Sequence, residues 1–225
     1  MLHVRSFHAE IVMRLLILCG MLPLLAAGCA THRSLSPLAP LERSLVYYPR
    51  PYPEGNWEPP YLPKEDAWFT AEDGTKLHGW YVPHPNPRAI ALFCHGNAGN
   101  ISSRAPGLAV LHHRHQVAAL AFDYRGYGRS EGTPSERGIL MDARAALKWL
   151  EQRTGEDRSN MVFMGRSLGG AVAVDLAAEY HPRGLVLAST FTSLPDVGKN
   201  FTPILPTRLM LTQRLNSLSK IRSYQ

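Results

Sequence analysis

The residues with the clearest chemical potential lie in the run from Met161 to Gly170, M-V-F-M-G-R-S-L-G-G. Ser167 stands two residues after Gly165 and two before Gly169. A G-x-S-x-G run between an apolar strand and a helix is the nucleophile-elbow pattern, which lifts a serine hydroxyl out of a sheet at a helix N-terminus. The backbone doubles back there. A side chain at either glycine would meet the neighbouring strand or helix, and the serine itself is held in a strained conformation. The bare pattern arises by chance in about one chain in ten of this length. Its context makes it specific: an apolar strand precedes it, and Gly170 with the small-residue helix Ala171-Val172-Ala173-Val174 follows.

A serine is a weak nucleophile without a base. After Ser167 the acids are Asp175, Glu179 and Asp196, and the histidine is His181. Asp175 and His181 fall on the helix that Ser167 opens. At the α-helical rise, His181 lies roughly 20 Å along the axis from the serine, whereas proton transfer needs contact near ~3 Å. His181 therefore reads as a helix C-terminal residue favoured by the dipole. His112-His113-Arg114-His115 resembles a metal tract, but only His112 and His115 share a helix face and no acid or cysteine joins them, so it reads as a solvated helix end. Cys94, inside an apolar strand, reads as a small buried hydrophobe. The spacing of Gly126, Gly128 and Gly132 is wrong for a dinucleotide-binding loop, and the run does not open directly into a helix. Neither a metal nor a cofactor is implied.

The elements that must position Ser167 alternate between strand and helix. A hairpin with its turn at Asp73-Gly74 joins Ala67–Thr70 to Lys76–Val82. Ala89–Cys94 is an unbroken apolar run, as expected of a strand buried on both faces of a parallel sheet. Ser102–His115 reads as a helix broken near Pro106, Val117–Phe122 as a second buried strand, and Glu136–Gln152 as an amphipathic helix with Ile139, Ala143, Ala146, Leu147 and Leu150 on one stripe. Gly184–Ala188 reads as a further buried strand, and Ser189–Gln225 as loop and short helices. This order predicts an α/β fold, a doubly wound, mostly parallel sheet with helices on both faces. Its functional loops then sit at the carboxyl ends of the strands, where His95-Gly96-Asn97, Asp123-Tyr124-Arg125 and Ser167 all fall.

Ahead of this domain the character changes. Leu15–Ala27 is an uncharged apolar run behind Arg5 and Arg14, too short to span a bilayer comfortably and suited to a signal-peptide core. Met13 is an alternative start. The run closes on Leu25-Ala26-Ala27-Gly28-Cys29, which resembles a bacterial lipoprotein signal with Cys29 as the lipidated residue. That resemblance implies export and a lipid anchor in the cell envelope, and Ala30 after the cysteine points by analogy to an outer membrane. Residues 1–28 are then a leader, 29–63 a proline-rich linker or arm, and 64–225 the globular domain. Prolines 37, 40, 49, 51, 53, 59, 60 and 63 argue against regular helix or central strands in the arm, with Leu45-Val46-Tyr47-Tyr48 as an apolar patch lying across the domain surface. The net charge of +6 is carried by basic residues standing singly, which excludes a nucleic-acid role and leaves a mild attraction to anionic membrane surfaces. One cysteine in the body excludes a disulfide framework.

Three motifs in register identify a family resemblance: H-G-N-A-G-N at 95–100, D-Y-R-G-Y-G-R-S-E-G at 123–132 and G-R-S-L-G-G at 165–170. With the lead-in Glu42–Pro49, E-R-S-L-V-Y-Y-P, the chain resembles the α/β-hydrolases, and within them the Bem46-like, serine-aminopeptidase-like branch. The resemblance implies Ser167 as nucleophile. It implies an oxyanion hole made of the backbone N–H groups of Leu168 and Asn97, with Gly96 and Gly99 allowing close approach of the substrate. His95, on the strand that family topology places beside that of the nucleophile, is the nearest histidine and is expected to be structural, fixing the oxyanion loop. The family's acid and histidine lie on later strands. Here Leu215–Ile221 resembles the segment just before them, so the domain reads as incomplete at its C-terminus, which would leave Gly184–Ala188 as an exposed apolar edge. The implied activity is hydrolysis of an ester, thioester or amide of a small-molecule or acyl substrate through an acyl-serine. The alternative is a non-catalytic exported lipoprotein that lacks the triad acid and histidine.

Overall fold

The computed structural model describes residues 39–201 and 211–224. The expected leader and Cys29 lie outside the described residues. A six-stranded sheet organises the rest. Its strands, in chain order, are β2 (Glu65–Thr70), β3 (Lys76–Val82), β4 (Ala89–Cys94), β6 (Val117–Phe122), β7 (Val162–Arg166) and β8 (Gly184–Ala188). Their spatial order is β2-β3-β6-β4-β7-β8. β2 and β3 pair antiparallel, as do β3 and β6, while β6, β4, β7 and β8 run parallel. The outlying β1 (Tyr48–Pro49) and β5 (Ala98–Gly99) make a second, two-stranded parallel sheet.

Period-two alternation along the central strands divides the apolar residues between two cores. Leu92, Cys94, Leu120 and Phe122 face one cluster, which is closed by α3 (Glu136–Thr154) and α4 (Leu168–Tyr180). Ala91, Ala119 and Ala121 face the other, with Ala105 and Leu108 of α2 (Ala105–His115). The helices thus cover both faces, as a buried parallel sheet requires. The stripe Ile139, Ala143, Ala146, Leu147 and Leu150 is buried throughout. Ser135 caps α3 by accepting the Gly138 N–H, and Gly155 ends it in the left-handed region at φ 72°. Pro106 sits in the first turn of α2 rather than breaking it, because a proline there removes an N–H that has no intrahelical partner; a 3-10 turn, Ile101–Arg104, precedes it.

Two expectations are corrected. The arm contains a helix, α1 (Ala39–Val46), in spite of its prolines. Pro40 sits in the first turn and Pro49 lies past the end, so neither interrupts an internal hydrogen bond. Tyr47 does not lie on the surface but enters the core at 3% exposure, and Trp57 and Leu62 are also buried. Gly184–Ala188 forms its strand and stands as the exposed apolar edge expected above, not the buried strand its composition alone suggests: Val186 is 48% and Leu187 36% exposed, because among the described residues no strand pairs beyond β8. The chain after β8 gives α5 (Leu194–Phe201) and α6 (Ser217–Ile221).

Candidate active site

Ser167 stands between β7 and α4 with φ 53° and ψ −117°, a conformation that L-residues adopt only when the surroundings impose it. The surroundings are the elbow glycines. A Cβ on Gly165 would lie 2.2 Å from the Gly169 carbonyl oxygen, and a Cβ on Gly169 would lie 2.0 Å from that of Cys94. Hydrogen bonds hold the turn on both sides. The Ser167 N–H donates to the Ala188 carbonyl of β8 at 2.9 Å, and Thr190 Oγ1 donates to the Ser167 carbonyl at 3.1 Å. The serine side chain does not cap the helix it opens, and the residue is half-buried.

β4 lies beside β7 with Cys94 opposite Gly165, so the chain leaving β4 passes directly over the serine. A Cβ on Gly96 would be 3.3 Å from the Arg166 carbonyl oxygen and 3.7 Å from Ser167 Cβ. Asn97 follows at once, its Oδ1 accepting the Tyr48 N–H at 3.1 Å and the Tyr127 hydroxyl at 3.3 Å. Gly99 turns the loop at φ 88°, and the β1–β5 pairing ties it to the arm. Leu168, buried, opens α4 with its backbone at the helix N-terminus. Ser167, Leu168, Gly96 and Asn97 therefore meet at the carboxyl ends of β4 and β7.

These observations assemble a strained strand–serine–helix turn and a glycine-containing loop on adjacent strands of a mostly parallel sheet. Residues 85–222 match the serine aminopeptidase S33 family, more than half of the chain. The chain belongs to that family of α/β-hydrolases. An uncharacterised protein of Mycobacterium tuberculosis is 42% identical over 184 residues, covering 81% of this chain and 65% of that protein. The Bem46 protein of Schizosaccharomyces pombe is 33% identical over 184 residues, covering 77% and 61%. Among solved structures, an esterase of Pyrococcus furiosus shares the fold with a TM-score of 0.61 at 23% identity, over 80% of this chain and 73% of that one. The chain spans less than two thirds of the length of the curated relatives it matches.

Against the S33 framework, the acids and histidine that follow Ser167 are occupied elsewhere. Asp175 is ion-paired with Arg144 at 2.9 Å and with Lys220, and Glu179 with Arg144 at 2.6 Å. His181 ends α4 in the left-handed region at φ 48°, its Nε2 3.2 Å from the Ser223 carbonyl oxygen. Asp196 accepts the Thr192 hydroxyl at 2.8 Å. Cys94 is fully buried, and burial pushes its thiol far up. No metal-binding group of three or more His, Cys, Asp or Glu side chains occurs among the described residues. His112 meets His84 and His113 edge-to-face, with ring centroids at 5.0 and 4.7 Å.

His95 is entirely buried beneath the loop, its Nδ1 2.7 Å from the Gly96 carbonyl oxygen. Its other nitrogen, Nε2, lies 3.5 Å from Asp123 Oδ1, also fully buried. That separation suits a charge pair but is too long for a good hydrogen bond, and neither group is charged at neutral pH. Burial pushes the imidazole down to about 3 and the carboxyl up to about 8. Asp123 Oδ1 accepts the Ile101 N–H at 2.8 Å. Its Oδ2 sits where a Cβ on Gly128 would be, which is why that loop needs glycine there, at φ 51°.

Three structural partners of the site went unread in the sequence. Asn100 donates to the Arg50 and Glu54 carbonyls at 3.1 and 2.8 Å and so fastens the arm to the loop. Tyr124 donates to the His95 carbonyl at 3.0 Å. Arg125 is clamped between Asp142 at 2.7 Å and Asp73 at 2.7 Å, joining the Asp73-Gly74 turn to α3. The motif residues carried the signal, but nothing in their spacing told which partner each would find.

Proposed function

We propose that this S33-family protein is a serine hydrolase whose nucleophile is Ser167, cleaving an ester, thioester or amide of a small-molecule or acyl substrate. The observation that carries the reading is the strained backbone of Ser167 between β7 and α4, with the Gly96-Asn97 turn against it. Strain of this kind persists only where neighbours over-determine it, and it presents the hydroxyl outward. Ser167 Oγ bonds to the carbonyl carbon as its proton passes to a base, which then hands that proton to the leaving group. The carbonyl oxygen takes the negative charge and accepts the N–H groups of Leu168 and Asn97, each worth about 3 kcal/mol in such sites. The leaving group departs with a proton, and water then releases the acyl chain from Ser167.

Among the described residues after Ser167, Asp175, Glu179, Asp196 and His181 are held in other contacts, so none of them is taken as the base or acid that this chemistry needs. A fluorophosphonate probe tests the assignment. Intact-mass analysis should place one phosphonyl group on Ser167, and Ser167→Ala should abolish it. Wild-type protein that stays unlabelled while correctly folded would instead support the second reading, a non-catalytic exported module. The occupied acids and histidine favour that second reading for a chain that acts without further residues.

We further propose that the protein is exported and anchored through a lipid on Cys29. The uncharged run Leu15–Ala27 closing on Ala27-Gly28-Cys29 supports this. Metabolic labelling with a palmitate analogue should mark the wild type and not Cys29→Ser.

A further inference from the structure

Along the first half of α3, a groove of about 590 Å³ runs between α1, α3 and residues 212–214. Four arginines line it: Arg43 of α1, Arg137 and Arg144 of α3, and Arg214. Arg144 is committed to Asp175 and Glu179. Arg43, Arg137 and Arg214 have no carboxylate partner among the described residues, although Glu136 lines the same groove and Glu42 stands near it. Both acids turn inward. Glu136 accepts the N–H groups of Arg214 and Leu215, and Glu42 accepts the Gln213 N–H at 2.8 Å and the Thr212 hydroxyl. Both carboxylates keep their charge but are spent in position, strapping the 212–215 segment to α1 and α3, so the three arginines without a carboxylate partner outnumber them at the groove. Leu140 and Met141 add an apolar wall between the arginines.

We propose that this groove is a membrane-contact surface that receives the phosphate headgroups of anionic phospholipids. Two observations choose that occupant. The charge is complementary: three arginines line one groove, and a guanidinium fork matches phosphate oxygens better than the point charge of a lysine would. The tether is also short. Cys29 precedes α1 by about ten residues, no more than roughly 35 Å of extended chain, and Arg43 lies on that first helix. A lipid on Cys29 therefore holds this flank within reach of the headgroups. The inference rests on the proposed anchoring for its geometry, yet the groove's affinity is a property of the folded domain and is measured without the lipid.

The test uses the full chain carrying Cys29→Ser, so that no acyl chain contributes. Co-sedimentation is compared between phosphatidylcholine vesicles and vesicles containing phosphatidylglycerol. A juxtamembrane basic residue contributes about fivefold in partitioning to an anionic surface. Arg43→Gln/Arg137→Gln/Arg214→Gln should therefore lose at least tenfold of the preference for phosphatidylglycerol and keep its binding to phosphatidylcholine. A charge-matched control, Arg88→Gln/Arg114→Gln/Arg183→Gln, should retain the preference. If the control loses as much as the groove variant, net charge alone is responsible and the proposal fails. If the wild type shows no preference for phosphatidylglycerol, it fails outright. Release from anionic vesicles by millimolar inorganic phosphate, with chloride at equal ionic strength inert, would show a soluble-phosphate site instead. Should the triple variant not fold, Arg137→Glu at the exposed position carries the same comparison. None of these outcomes depends on whether Cys29 is lipidated, which the palmitate experiment decides separately.

Discussion

Replacing Asp123 by asparagine tests whether the group beneath the Gly96-Asn97 loop is neutral. In the folded protein Asp123 holds its proton up to about pH 8 and His95 stays neutral down to about pH 3, both because burial penalises charge. In the unfolded chain they titrate near 3.8 and 6.5. Between these two values each state carries one proton on the pair, on Asp123 when folded and on His95 when unfolded, so the pair's contribution to stability is level. From pH 6.5 to 8 only the folded state holds a proton. Stability then falls with rising pH at about 1.4 kcal/mol per unit, about 2 kcal/mol across the interval. Asparagine retains an oxygen for the Ile101 N–H and has no proton to lose. The Asp123→Asn variant should therefore gain stability as pH rises toward 6.5, while unfolded His95 gives up its proton, and stay level above it. Relative to wild type it should gain about 4 kcal/mol between pH 5 and 8. Urea unfolding of both proteins at pH 5, 6.5 and 8, with unchanged m-values, reads this difference directly. Parallel stability curves would mean that Asp123 is already ionised in the fold, and the neutral pairing with His95 would have to be abandoned.

Two further outcomes follow from contacts at the elbow and at the hairpin clamp. Gly169→Ala sets a Cβ 2.0 Å from the Cys94 carbonyl oxygen, against backbone that cannot give way, and should cost more than about 4 kcal/mol or prevent folding, as thermal denaturation will show. Arg125→Ala strands the fully buried carboxylate of Asp142 and should cost about 3 to 5 kcal/mol, whereas Arg125→Met/Asp142→Leu should recover most of the loss in chemical denaturation.

Local pattern determined a large part of this protein. Ala89–Cys94 and Val117–Phe122 are apolar at every position, which only a strand covered on both faces tolerates, and both strands begin and end where the residues indicated. The stripe of α3 and the glycines around Ser167 were equally readable, because helical periodicity and steric exclusion act over a few residues. What tertiary structure alone decided is partnership across long separations. Glu42 meets Gln213, Tyr48 meets Asn97, and Arg125 meets both Asp73 and Asp142. The prolines of the arm concealed α1, since their effect depends on where they fall relative to a helix end and not on their density. Gly184–Ala188 has the composition of a buried strand; its exposure was expected only from the family resemblance, because burial belongs to the neighbour and not to the strand. The charge state of Asp123 was equally invisible: an aspartate after a strand reads as an ion, and only enclosure beneath a loop of glycines and tyrosines keeps it neutral.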